Sequence, residues 1–179
     1  VIEDTLEGNI TADRTISAAN KNFLKGFVYV KSGATLTIEA GSVIKGISVA
    51  SGERAASLII EPGAKIIAEG TVDKPIVFTS DKEPGKRVTG DWGGLIICGN
   101  ARVNRTNQPT IEGGPGTHYG NTTSDEFNGE SSGKLKYVRI EFAGYPLEPD
   151  KEINGLTFGG VGSGTEVEFV QVSYSKEDS

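Results

Sequence analysis

The chain has 179 residues, of which 36% are hydrophobic and 23% charged, and its formal net charge is −6. That length suits one domain with a substantial core, and the apolar content excludes a disordered chain. The acidic balance, with no Lys/Arg stripe, disfavours nucleic acid and anionic membrane surfaces as partners.

A single cysteine, Cys98, excludes an intramolecular disulfide and any multi-cysteine metal site. No apolar run approaches the 18 or so residues of a membrane-spanning helix. The chain starts at Val1 and contains no methionine, which reads as a mature or trimmed product. Glycine, at 25 residues, is about twice its usual share, and the excess falls between short apolar runs, where turns belong.

In chain order, residues 1–27 read as a lead-in or cap. The tripeptide Asp4-Thr5-Leu6 within it has the form of an Asp-Ser/Thr-apolar acceptor for O-linked sugar, which would place a glycan on Thr5. From residue 28 a phrase repeats: "VYVKSGATL" (Val28 to Leu36), "LTIEAGSVI" (Leu36 to Ile44) and "LIIEPGAKI" (Leu58 to Ile66). In each, alternating apolar residues describe a strand with one buried face. A glycine (Gly33, Gly41 or Gly63) then provides a corner that a Cβ would oppose, and a new strand begins.

The rhythm continues in "PIVFTS" (Pro75 to Ser80) and "GLIICGN" (Gly94 to Asn100), then in "KYVRIEFAG" (Lys136 to Gly144), "GLTFGGVG" (Gly155 to Gly162) and "VEFVQVSYS" (Val167 to Ser175). These are short, β-branched or aromatic strands. Strands recurring every ~20 residues, with glycine corners and no amphipathic helix between them, describe an all-β solenoid of stacked coils. An antiparallel sandwich is the rival, but it would want hairpin dipeptides, and the Asn-Gly pairs at Asn128 and Asn154 do not sit between adjacent strands. Coils are therefore expected over residues 28–179. They are interrupted by a polar, glycine-rich stretch at about 102–133, which is either a projecting loop or a disordered excursion.

The segments "EPGAKIIAEGTVDKPIVFTS", "GDWGGLIICGNA", "YVRIEFAG" and "INGLTFGGVGSGTEVEFVQVSYS" resemble a family of secreted or surface-displayed Bacteroidota proteins, exported lipoproteins or type IX secretion cargo. The resemblance runs from about Val28 to Ser175. It implies a right-handed parallel β-helix outside the cell or on the outer-membrane surface, and it carries no established activity. Family members continue beyond the segment that ends here at Ser179, so the chain reads as a truncated N-terminal portion.

The side chains offer few constellations for chemistry. A lyase-type β-helix would need convergent Asp residues for Ca²⁺ with Arg or Lys as base. Asp81, Asp91 and Arg87 are near one corner but lack that spacing and read as a solvated loop. Asp125, Glu126 and Glu130, and Glu148, Asp150 and Glu152, are two further acidic sets that could hold calcium only loosely. His118, the only histidine, has no partners for a metal site or a triad, but the His118-Tyr119 pair could stack on a sugar ring. Trp92, between small residues, reads first as corner packing and second as a stacking platform. Cys98 lies in a strand and reads as a buried, inert thiol. The glycosylation sequons at Asn9, Asn104 and Asn121 read as chance.

The function expected is non-enzymatic binding or scaffolding, by glycan contact, adhesion or docking to a surface assembly. One alternative is a polysaccharide lyase or hydrolase with catalytic coils beyond residue 179, and another is a structural spacer. An enzyme predicts convergent carboxylates on consecutive coils. A binder predicts aromatics exposed in the 102–133 stretch, and a spacer predicts neither.

Overall fold

The computed structural model describes residues 1–50, 53–113, 115–148 and 151–176, with backbone only at 146–148 and 151–152. Its strands are β1 (Glu3–Ile10), β2 (Arg14–Ile16), β3 (Lys21–Val30), β4 (Thr35–Ile38), β5 (Val43–Gly46), β6 (Ser57–Ile60), β7 (Lys65–Glu69), β8 (Ile76–Ser80), β9 (Gly94–Cys98), β10 (Gly133–Glu141), β11 (Pro146–Glu148), β12 (Lys151–Glu152), β13 (Leu156–Gly159) and β14 (Glu166–Ser173). Twelve of them form one continuous sheet with parallel pairing, and β11 and β12 form a separate antiparallel pair.

The pairings resolve into three faces. On the first face stack the first halves of β1 and β3, then β5, β8 and the second halves of β10 and β14. The second face stacks the ends of β1 and β3 on β6, β9 and β13. The third stacks β2, β4, β7 and the first halves of β10 and β14. The chain visits the faces in that order on every turn, so each coil is one circuit around the core. This is a right-handed parallel β-helix, the hand that parallel crossovers take almost without exception.

The core is built by columns of like residues. Val28, Leu58 and Leu95 stack on the second face, with Val30, Ile60 and Ile97 beside them, and Ile44, Phe78 and Ile140 stack on the first. All nine are essentially buried, and each burial stabilises the fold by about 1.5–3 kcal/mol.

The register also separates two corners that the repeated phrase merges. Val28, Val30 and Leu36 stack on Leu58, Ile60 and Ile66, so Gly33 and Gly63 share a corner, and the Gly33 amide donates to the Gly63 carbonyl at 3.0 Å. Gly41 belongs to the next corner along the same coil. All three glycines have φ near +85° (87°, 86° and 84°), where a Cβ is strained.

The lead-in over 1–27 is itself coil, because β1 pairs with β3 and β2 with β4 in parallel register. Its strands carry mostly charged and polar outward residues around a few buried ones (Leu6, Ile10 and Ile16), which hides them in the sequence. The 102–133 stretch is a loop held down at both ends. Val103 donates to the Asn121 carbonyl, Gly120 to that of Gly99, and Ser163 of the next coil to that of Asn128.

Candidate functional site

The second face is apolar on both sides, which alternation alone would not produce. Inside lie the Val28 and Val30 columns. Outside, Phe27, Ile59, Ile96 and Cys98 form a second cluster with Ile111 and Ile153, and Tyr29 and Tyr119 pack against it. The 102–133 loop covers this outer surface with Ile111 and Tyr119, and Ile153 covers it from a separate segment. Within the loop Thr110 and His118 bridge as an antiparallel pair, and Ile111 is tucked inward.

Neighbouring residues in that bridge point opposite ways. Tyr119 turns toward the coil: a Cβ added at Gly159 would lie 2.7 Å from its ring, so Gly159 is the space into which the ring packs. His118 turns outward and is exposed. The two members of the pair therefore face different surroundings.

His118 lines an open groove of about 410 Å³ with Pro115, Gly116 and Thr117 from the loop and Asn9, Tyr29, Lys31, Glu61 and Pro62 from the coils. Tyr29 Oη donates to the Pro115 carbonyl at 3.3 Å, fixing the loop against β3. Lys31 Nζ lies 2.7 Å from Glu61 Oε1 and 5.6 Å from the Tyr29 ring centre. Burial pushes the Tyr29 phenol above its ordinary range, reinforced by Glu61 and opposed by Arg54 and Lys31. Thr117 Oγ1 is buried without a hydrogen-bond partner in this wall, a condition that costs free energy unless something supplies one. Tyr29 is one of the groove residues that sequence reading missed, with Lys31 and Glu61. The signal was present in "VYV", where buried Val28 and Val30 force Tyr29 outward.

Trp92 requires a correction as a ligand platform. It is fully buried, stacks on Phe78 with ring centres 6.3 Å apart, and its Nε1–H donates to the Glu141 carbonyl at 2.7 Å. It reaches the core because Gly46 leaves room: a Cβ there would sit 2.6 Å from Trp92 Cβ. Cys98 is buried and its thiol is pushed up to about 12, first by desolvation and then by Glu61.

The residues of the charged corner do not fit a calcium ion. Asp81 accepts from the Ser48 amide and hydroxyl. Asp91, nearly buried, accepts from Ser80 Oγ, the Val88 amide and Lys82 Nζ. Arg87 donates to the Lys82 carbonyl. Each carboxylate is occupied by its own donors, whereas calcium needs six to eight converging oxygens. In the loop, Asp125 faces Arg102 and Asn128, Glu130 accepts from the Asn100 amide, and Glu126 is exposed. Among the described residues no three His, Cys, Asp or Glu side chains cluster as metal ligands. The set Glu148, Asp150 and Glu152 lies outside the described side chains. Thr5 is exposed on β1, flanked by Asp4, which pairs with Arg14, and by buried Leu6.

The family model for the pectate-lyase-like beta helix domain matches residues 8–179. The chain belongs to that family. Membership accords with the three-faced coil and with a first coil that begins before residue 28. Comparison with curated proteins and with solved structures gave no significant match.

Proposed function

We propose that this pectate-lyase-like β-helix is a non-enzymatic glycan-binding module, displayed outside the cell or on the outer-membrane surface. The observation that carries the reading is the groove at His118. It combines an aromatic ring, a lysine–glutamate pair and an amide on the coils with an imidazole on the loop that is tied to them. Such a lining suits a saccharide, whose C–H faces stack on aromatics and whose hydroxyls both donate and accept. Isothermal titration with neutral and acidic oligosaccharides tests it. Tyr29→Ala and His118→Ala are expected to weaken binding about tenfold each, and unchanged affinity in both would overturn the assignment.

The family description favours a second reading, a polysaccharide lyase. An assay for unsaturated products from polygalacturonate separates the two. Turnover by this chain would favour the lyase, and binding without turnover the module.

A further inference from the structure

A second groove, at a different corner, is lined by Pro84, Gly85, Arg87, Val88 and Thr89 on one wall and by Glu141, Phe142 and Tyr174 on the other, and encloses about 660 Å³. Its floor has a backbone conformation shared, among the described residues, with one other aromatic stack on the same coils, Tyr137 on Phe169. Phe142 and Tyr174 have φ of 60° and 56°, a left-handed conformation that bulky residues rarely adopt. In the register of the first two coils the matching level is held by Leu6 and Leu24, and the left-handed residues of that corner, Gly8 and Gly26 with φ of 67° and 59°, come two positions later. The corner does not require a ring. Two consecutive coils nevertheless carry one, under strain, and such strain concentrates where a protein has a use for it.

The two rings lie parallel, with centres 5.1 Å apart and planes within 6°. The opposite wall is held in place. The Asp91 amide donates to the Phe142 carbonyl and the Gly90 amide to that of Ala143, while Asp91 also ties Lys82 and Val88. The rim carries one cation, Arg87, and one carboxylate, Glu141, whose Oε1 lies 2.6 Å from Arg139 Nε. Arg87 offers donors and Glu141 an acceptor to hydroxyl groups.

We propose that this groove binds a neutral pyranose unit of a glycan, its C–H face lying on the Phe142–Tyr174 stack and its hydroxyls meeting Arg87, Thr89 and Glu141. The site is separate from the His118 groove and does not depend on it.

The test exploits the backbone. Phe142→Gly and Tyr174→Gly remove the rings while relaxing φ, so the variants fold without new strain. Titration of the wild type, both variants and His118→Ala uses cellohexaose, xylohexaose and mannohexaose as probes, with thermal melts alongside. The expected result is binding of at least one hexasaccharide that weakens tenfold or more in each glycine variant, at a Tm equal to or above wild type, and persists in His118→Ala. Binding that survives both glycine variants, or no binding of any of the three sugars by the wild type, would overturn the proposal. So would a fall in Tm with affinity unchanged, since the stack would then serve the fold alone. Loss in His118→Ala with the glycine variants unaffected would support the first groove and reject this one.

Discussion

At the residue scale, glycine has two separable jobs in this fold. Gly33 is at a corner with φ of 87° and open space where its Cβ would go, so Gly33→Ala carries backbone strain alone. Gly133 has φ of 118° and a Cβ there would meet the Ile66 carbonyl oxygen at 1.8 Å, a clash with backbone of the coil beneath. Urea denaturation is expected to show Gly33→Ala destabilised by about 1–2 kcal/mol, and Gly133→Ala unable to reach the native register at all. Comparable losses in the two would refute the distinction. Trp92→Ala is expected to cost about 3–5 kcal/mol, since it empties the space above Gly46. Trp92→Phe refills most of that space but leaves the Glu141 carbonyl unpaired, which costs roughly 1–3 kcal/mol. The order wild type, then Phe, then Ala in Tm is the check.

At the element scale, strand and corner were legible to very different degrees. The segments around Ile76, Leu95, Val138, Leu156 and Val170 appear as strands where their apolar runs placed them. The strands of the first coil did not, because β1 shows two buried residues, Leu6 and Ile10, among six others. Trp92 was ambiguous because nothing local reveals that Gly46, a full coil away, makes room for it. The outer cluster of the second face was unreadable for a related reason: a strand apolar on both sides names no cover until the loop is placed. Corners also couple coils electrostatically. Glu39 accepts from the Ala18 amide at 2.9 Å and the Ser17 hydroxyl at 2.8 Å, one coil earlier, and these bonds lower its carboxyl below the ordinary 4.5. A carboxylate lowered on folding adds stability above its unfolded value and loses it as pH falls through the folded one. Wild type should therefore melt above Glu39→Gln at neutral pH, with the gap closing as pH drops below about 4.5. A gap that persists in acid would mean the charge is not what links these coils.

At the scale of the whole molecule, the 102–133 loop joins the fold to the proposed function. Together with Ile153 it buries the outer cluster of the second face, it shapes one wall of the His118 groove, and its retreat is expected to expose a thiol. Replacing residues 99–131 with Ser-Gly-Ala, the sequence that follows Lys31 at the matching corner below, tests all three roles at once and keeps Cys98 in register. The coils on either side pair through β9 with β13 and β7 with β10, not through the loop, so far-ultraviolet dichroism should remain that of a β-helix. Cys98 is held near 12 mainly by desolvation, and uncovering it should let the thiol fall back toward 9. The native protein should then resist a thiol-specific reagent at pH 8, while the shortened chain reacts orders of magnitude faster, because the thiolate is the reacting form. Exposed Ile59 and Ile96 should also make the shortened chain self-associate, as contiguous apolar surface does. Glycan binding at the His118 groove should disappear with its wall, while binding at the Phe142–Tyr174 groove should not. A shortened chain that keeps Cys98 unreactive would show that the coils alone bury it, and the loop would then be an appendage with a groove, not a cover.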